Sequence, residues 1–344
     1  MKTSKEYIIP IFLPYTEDTN QYTYYYNIKS NNQKKITVKE IKQTIEKYLK
    51  NFKDESKYVE VAFFGSNFLK LKEQDKFLET VYEYLKGKKV NSIRITSTPD
   101  CINKDIVKKL KKYGVKTIEL DIKSTNDYIL KKCMSNYTFE NIKSACKLIR
   151  WNRITLGVQM LIGLPESTRL DELNTAKELI KLKPKLIRIE PVVVLKDTML
   201  EKEYNNSEYI PLTLEQAVER CKEIVDLFNK NRTNMIRIGF QNSEETIKEI
   251  KDIDQVIAGP YHPYFRGLVE SKLWYDAIVD RIKKVNAKVR QVKITANPEN
   301  MNSILGEKNE NIIKLKEVYE VDTIVETSED IKAGEFNLEV EQVY

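Results

Sequence analysis

The sequence predicts an α/β chain: a partial TIM-like (β/α) barrel followed by a small C-terminal α+β module. Three observations lead there. Short β-branched and aromatic runs alternate with stretches of helical periodicity from Tyr7 to Gln241, the pattern of a parallel sheet with helices packed outside it. No glycine-rich nucleotide fingerprint opens the first strand-to-helix turn, which favours a barrel over a dinucleotide-binding fold. Beyond Gln241 the spacing changes, and the final stretch reads as one strand, two helices and two further strands.

The elements follow in order. Tyr7 to Leu13 reads as a buried first strand, rich in isoleucine and closed by Pro14. A polar, tyrosine-packed loop from Tyr15 to Ile28 comes next. Ile41, Ile45 and Leu49 at helical spacing predict a helix over Val38 to Phe52. A strand over Tyr58 to Gly65 and a helix over Asp75 to Leu85 follow, then strand Ser92 to Ser97 and helix Lys104 to Tyr113. The alternation continues with strand Thr117 to Lys123, a helical stretch to Arg150, strand Thr155 to Gly163 and helix Asp171 to Leu182. Strand Leu186 to Val194, helix Thr213 to Asn231 and strand Met235 to Gln241 complete the series. The expected organisation is a barrel over 1–245, a connecting turn and helix over 246–286, and a C-terminal module over 287–344.

The strands are apolar on one face only. Parallel strands covered by apolar groups on both faces are near-continuously apolar. Here Val59, Val61 and Phe63, Ile93 and Ile95, Ile118, Leu120 and Ile122, Ile187 and Ile189, and Ile236 and Ile238 share one parity and are expected to face the helices. The opposite parity holds Glu60, Arg94, Thr96, Glu119, Asp121, Lys123, Gln159, Arg188, Glu190, Arg237 and Gln241, which would face the lumen. Buried charges persist when paired or ligand-bound. Two readings stand, a self-satisfied salt-bridge network and a polar ligand pocket. The pocket is preferred, because a barrel filled for structure alone carries branched aliphatics.

The 344 residues include 58 Lys and Arg against 51 Asp and Glu, a formal charge of +7. Such mild basicity fits a lysine-rich solvated surface as well as an anionic partner. No apolar run approaches ~18 residues, so no membrane span is predicted. Met1 to Glu6 lack the apolar core of a signal peptide, and a cytoplasmic protein is expected. Cys101, Cys133, Cys146 and Cys221 match no metal or disulfide spacing. Cys146 and Cys221 fall in helical patterns and read as buried thiols.

Past Gln241, Gly259 to Arg266 is turn-rich and aromatic and carries His262, the one histidine of the chain; a structural role is the default for it. A helix over Gly267 to Val285 follows, then strands over Lys288 to Ala296, Asp322 to Glu326 and Phe336 to Val340. Between the first two of these strands, Ile304-Leu305-Gly306-Glu307-Lys308-Asn309-Glu310-Asn311-Ile312 parallels the I-G-x-x-G-x-x-I turn of KH domains, where two helices meet and the loop clamps a nucleic-acid backbone. Asn309 stands where the second glycine belongs, and asparagine tolerates positive φ.

Several stretches together resemble the radical SAM family, specifically the bacterial branch similar to the Elongator catalytic subunit but without its acetyltransferase domain. They are Ile8 to Phe12, Ala62 to Gly65, Tyr113 to Leu120, Leu156 to Pro165, Arg237 to Gly239 and Gly259 to Pro263. The resemblance runs from about Tyr7 to the C-terminus. It implies a partial β/α barrel of the radical SAM type, a 4Fe–4S cluster that cleaves S-adenosylmethionine, and a C-terminal region belonging to tRNA handling.

The departures shape the functional expectation. The family's C-x-x-x-C-x-x-C falls on Thr19, Thr23 and Tyr26, or one residue earlier on Asp18, Tyr22 and Tyr25. Neither register holds a thiolate, which the cluster needs. No 4Fe–4S cluster, and no radical chemistry, is therefore expected. The family's G-G-S-F-T appears as Gly65-Ser66-Asn67-Phe68-Leu69, and a G-V-Q-S-like segment as Asp121-Ile122-Lys123-Ser124. The leading expectation is a pseudoenzyme scaffold with no resident cofactor and no catalytic residues. It would bind RNA, tRNA included, through Arg266, Lys288, Arg290, Lys293 and Lys308, or else bind a protein partner. The acidic stretch from Glu317 to Glu341 opposes a nucleic-acid backbone passing over it. The alternatives are a non-radical enzyme using Lys123, Asp121, Glu190 and His262, and a sensor that still holds S-adenosylmethionine or an analogue in a vestigial pocket of Gly65, Ser66, Asn67, Gln159 and Arg188.

Overall fold

A computed structural model describes residues 6–13, 36–52, 58–65, 67–239 and 256–343. Seven strands form one sheet: β1 (Glu6–Leu13), β2 (Tyr58–Gly65), β3 (Ser92–Ser97), β4 (Val115–Lys123), β5 (Thr155–Ile162), β6 (Leu186–Pro191) and β8 (Asn234–Ile238). All neighbours pair in parallel, and their spatial order follows the chain without reversal. A doubly wound sheet would reverse at a switch point; this one advances a strand at each crossover and curls into a half-barrel.

Helices cover the outer face: α1 (Val38–Asn51), α2 (Gln74–Lys86), α3 (Lys104–Lys112), α4 (Asp127–Lys132), α5 (Phe139–Trp151), α6 (Arg169–Lys181) and, after the small α7 (Met199–Asn205), α8 (Leu214–Lys230). One local code starts four of them. Thr37, Thr138, Thr168 and Thr213 each cap the third residue's N–H, while Glu40, Asn141, Asp171 and Gln216 reach back to the cap. Each box satisfies two otherwise unpaired donors. Of the strand parity predicted to face the helices, Val59, Val61, Phe63, Ile93, Ile95, Ile118, Leu120, Ile122, Ile187, Ile189 and Ile238 are buried in one core with Ile41, Ile45, Leu78, Leu110, Ile149 and Phe228; in β8, whose register shifts, Met235 rather than the expected Ile236 packs against that core.

Two elements differ from expectation. The strand predicted over Leu186 to Val194 ends at Pro191, where the missing N–H stops the ladder. Its tail is a separate short strand, β7 (Val194–Leu195), paired antiparallel with β9 (Val256–Ala258). The helical stretch to Arg150 is two helices, broken where Met134 turns to φ 53°.

Helix α9 (Phe265–Lys283) joins the barrel to the C-terminal module. Its first part, through Phe265 and Val269, belongs to the barrel core. Its last turns, through Ile278, Val279 and Ile282, pack with Val292, Ile294, Ile304, Leu315 and Phe336 in a second core. That module runs β10 (Val289–Ala296), α10 (Met301–Leu305), α11 (Glu310–Tyr319), β11 (Asp322–Thr327) and β12 (Phe336–Val343). Its central strand β10 pairs parallel with β11 and antiparallel with β12.

The loop after β5 is pinned by a buried carboxylate. Glu172 of α6 accepts from Gly163 N–H at 2.7 Å and from Arg220 at 3.1 Å, while its second oxygen, Oε2, is buried without a partner among the described residues. Burial raises the carboxyl above its usual range, against the lowering effect of the Gly163 N–H and Arg220. A carboxyl raised in the folded state binds protons that the unfolded chain has released. Stability should therefore fall as pH rises from about 4.5, the unstructured glutamate value, through the raised value, and then level off. In urea unfolding across that window, Glu172→Gln should remove the slope; an unchanged slope would assign it elsewhere.

Candidate functional site in the barrel lumen

The concave face of the sheet carries a continuous run of charges of alternating sign. Glu60 on β2 meets Arg94 on β3 at 2.6 Å, and Arg94 meets Glu119 on β4 at 2.9 Å. Glu119 also accepts from Arg188 on β6 at 3.2 Å, and Arg188 reaches Glu190 at 2.9 Å. Glu190 takes Gln159 Nε2 at 3.0 Å, and Arg237 on β8 lies 3.9 Å away. Ser92 and Thr117 hydroxyls complete Glu60 at 2.9 and 3.2 Å. Burial disfavours the charge on Arg94 and Arg188, but their carboxylate neighbours outweigh it and hold both guanidiniums above their ordinary values. Of the two sequence readings, the salt-bridge network describes these residues.

A glycine makes the central crossing fit. Gly157 of β5 sits beside Glu119 in register, and a Cβ there would lie 2.8 Å from Glu119 Cγ. The missing side chain lets one carboxylate span from Arg94 on one side to Arg188 across β5.

Toward the C-terminal ends of the strands the network is less complete. Asp121, Gln159 and Arg188 share one transverse row of β4, β5 and β6. In that row Asp121 Oδ1 and Arg188 Nε are buried without hydrogen-bond partners among the described residues. The β4 ladder is irregular between Asp121 and Lys123, and Lys123 has φ 61°. Tyr137 Oη, 2.8 and 3.0 Å from the Asp121 and Ile122 carbonyls, holds this irregularity. It leaves Lys123 buried with Nζ 3.6 Å from Asp121 Oδ2.

The other predicted site residues separate from this group. Asn67 is fully buried and spends its amide inside the protein. Its oxygen accepts from Ser97 Oγ and Leu69 N–H, and its nitrogen donates to Thr98 Oγ1 at 2.7 Å and Cys101 Sγ at 3.4 Å. It ties the loop after β2 to the loop after β3, next to the turn at Gly65. His262 lies in the turn before α9, where Nδ1 accepts from Tyr264 N–H at 3.2 Å. Among the described residues no hydrogen bond joins it to Asp121, Lys123 or Glu190. Thr19, Thr23, Tyr26, Ser66 and Gln241 lie outside the described residues. Sequence reasoning overlooked Ser92, Thr117 and Gly157, although each shares the lumen parity of its strand.

Of the five cations predicted to meet RNA, Arg266 pairs with Glu270 at 2.7 Å, Lys288 with Glu320 at 2.9 Å and Lys293 with Glu326 at 2.8 Å. Arg290 is exposed on β10. Lys308 is exposed in the turn between α10 and α11, where Gly306, Lys308 and Asn309 have φ of 75°, 53° and 63°. Asn309 thus adopts the left-handed conformation expected of it.

Comparison with known proteins matches the radical SAM superfamily over residues 22–180 and the radical SAM C-terminal domain over residues 184–275. The chain belongs to the radical SAM superfamily. Within reach of this radical SAM chain in sequence is the tRNA uridine(34) acetyltransferase of Methanocaldococcus jannaschii, 25% identical over 128 residues, or 36% of this chain and 24% of that protein. An uncharacterised protein of the same organism is 26% identical over 185 residues, or 52% of this chain and 56% of the other. The archaeal Elp3 of Methanocaldococcus infernus superposes with a TM-score of 0.59 at 16% identity, covering 81% of this chain and 63% of that one. Methylornithine synthase superposes with a TM-score of 0.50 at 13% identity, covering 75% and 73%. The chain spans about a quarter of the length of the acetyltransferase it matches.

The donor set of this radical SAM chain is unlike one for an iron–sulfur cluster, which is held by thiolates. No cysteine precedes Cys101. Cys101 is tied to Asn67; Cys133, Cys146 and Cys221 are buried in hydrophobic cores. Burial pushes the Cys146 thiol up to about 12 and raises Cys221 as well, which disfavours a thiolate in either place.

Removing one member of a buried pair leaves an uncompensated charge and costs about 3–5 kcal/mol. Glu119→Gln, which weakens the acceptor of two guanidiniums, should destabilise the fold by about 3 kcal/mol in urea unfolding. Gly157→Ala should cost about 1–3 kcal/mol by displacing Glu119. A loss below about 0.5 kcal/mol in both would mean that the network contributes nothing to folding.

Proposed function

We propose that this chain is a cluster-free radical SAM relative that serves as an RNA-binding scaffold, with tRNA the favoured class of RNA. One observation carries the reading: no thiolate exists ahead of Cys101, so the loop after the first strand cannot supply the soft ligands that reductive cleavage of S-adenosylmethionine requires. The lumen supports it from the other side. Gln159 and Arg188, polar groups that would meet a cofactor, already bind Glu190 and Glu119. RNA binding is supported by the βααββ order of the C-terminal module, which with the Gly306 to Asn309 turn is KH-like. Exposed Lys308 lies in that turn, beside a hollow of about 300 Å³ lined in part by Tyr264, Gly306 and Asn309. That one archaeal relative is a tRNA uridine(34) acetyltransferase favours tRNA. Electrostatic phosphate contact by Lys308 and stacking on Tyr264 are the chemistry this turn offers.

The test is anaerobic purification and reconstitution with iron and sulfide, followed by native mass spectrometry and RNA binding. The expected protein carries no stoichiometric iron and binds a tRNA transcript with affinity that falls steeply with salt. Lys308→Glu should weaken binding several-fold. Lys293→Glu should matter less, because Glu326 already neutralises that lysine. Stoichiometric iron and sulfide would falsify the cluster-free reading; salt-independent or absent RNA binding would remove the scaffold reading.

One observation favours a second reading. Asp121 Oδ1 and Arg188 Nε, in one lumen row and without hydrogen-bond partners among the described residues, fit the cationic and acceptor ends of a small zwitterion such as the methionyl part of S-adenosylmethionine, held without cleavage. Calorimetric titration with S-adenosylmethionine should then show saturable binding that Asp121→Asn weakens; no heat of binding would dismiss it.

A further inference from the structure

The turns that lead into β5, β6 and β8 share one conformation and one charge. Helices α5, α6 and α8 end with a residue at positive φ: Arg153 at 60°, Lys183 at 53° and Arg232 at 54°. In each turn that residue's N–H returns to the carbonyl three positions earlier, Arg150, Ile180 or Asn229, at 2.9 Å. Glycine is the residue of least strain there, and the chain uses it at the matching turn after α3, where Gly114 has φ 81°. At the three turns before β5, β6 and β8, as at Lys88 after α2 (φ 55°), a long cation stands in its place.

These turns open onto a cleft of about 910 Å³ at the N-terminal ends of the strands, the end opposite Lys123 and the loop at Gly163. Six cations line it: Arg150, Arg153, Lys181, Lys183, Lys185 and Arg232. No acidic side chain is among its lining residues. Lys181 is committed to Glu178, and Arg150 donates to the Leu182 carbonyl. Among the described residues no carboxylate lies within ion-pair distance of Arg153, Lys183, Lys185 or Arg232, and all four are exposed. Adjacent strands are about 4.8 Å apart, so three consecutive turns offer a row of charge rather than a single point. Trp151, on the last turn of α5 between Arg150 and Arg153, is 79% exposed, the most exposed tryptophan or phenylalanine described.

We infer that this cleft binds the phosphate backbone of a single-stranded nucleic acid, with a base stacked on Trp151. Unpaired cations in a row neutralise successive phosphates, and an exposed indole is a platform that any unpaired base can cover. The cleft is open and has no acidic side chain with which to read base amino groups, so sequence-tolerant binding is expected. The inference does not rest on the C-terminal module or on the absence of a cluster.

The test uses the full chain with dye-labelled rU and dT oligonucleotides of about 15 nucleotides, titrated from low to moderate salt, and Trp quenching as a second readout. Binding should weaken with salt at a log–log slope of about −2 to −3 for four phosphate contacts. Arg153→Gly/Lys183→Gly/Arg232→Gly removes three charges while relieving the backbone, so the fold should persist. Its slope should shrink by about 2. Trp151→Ala should cost about tenfold in affinity and abolish the quenching. A preference for rU or for dT identifies the source, and either supports the inference. Unchanged affinity and slope in the folded triple variant would overturn it, as would binding of inorganic pyrophosphate without either oligonucleotide. If Lys308→Glu alone abolishes binding while the triple variant binds normally, this cleft is refuted and the C-terminal module is not.

Discussion

A parallel sheet with charges along its concave face must neutralise them internally, and that constraint governs the barrel. Glu60, Arg94, Glu119, Arg188 and Glu190 alternate in sign along the concave face from β2 to β6, so each member meets an opposite charge. Such a network brings little net stability over apolar packing, but its interruption is costly because a stranded charge cannot be rehydrated. The register of the sheet is consequently fixed twice. Slipping a strand by one residue would turn Val59, Ile95 or Ile189 into the lumen and carry their charged neighbours into the helices. It would also break the ion pairs that the slipped strand makes with other strands.

The same neutralisation limits the chemistry available inside. A group that holds a partner at 2.6–3.2 Å must surrender it before it can meet a ligand. Among the described residues, the lumen therefore offers new binding where pairing is incomplete, at Asp121 Oδ1 and Arg188 Nε. Asn67 illustrates the point at the neighbouring loops: an asparagine that bonds Ser97, Leu69, Thr98 and Cys101 has no group left to offer.

The faces of this sheet were legible in the sequence because strand parity is a local property. Val59 and Ile118 could be assigned to the helix side, and Glu60 and Glu119 to the lumen, without knowing which strands pair. Partner choice was not legible. That Glu119 serves both Arg94 and Arg188 depends on the register of three strands and on Gly157, whose parity marked it as a lumen position but whose lack of a side chain hid its role. The break after Pro191 was written in the proline yet obscured by the apolar run Val192-Val193-Val194, which continues the strand pattern. In the C-terminal module, the positive φ of Asn309 follows from residue preference, whereas that of Lys308 runs against it and could come only from the fold. The carboxylate neighbours of two cations expected to meet RNA were likewise not legible: the acids that pair with Lys288 and Lys293 lie 32 and 33 positions away in the chain and meet them only across the module.

Charge that is cancelled inside cannot act outside. Glu60, Glu119 and Glu190 balance Arg94, Arg188 and Arg237, so the lumen contributes almost nothing to the formal +7. The sheet of the C-terminal module does not supply it either, because Glu326, Glu339 and Glu341 surround Lys293. The excess must be carried by surfaces where cations stand without acids, and the turns before β5, β6 and β8 form such a surface. Placing Arg153, Lys183 and Arg232 in a conformation that suits glycine sacrifices some backbone stability for charge at one end of the barrel. That trade makes physical sense if the charge is used, and a polyanion is the ligand that would use it.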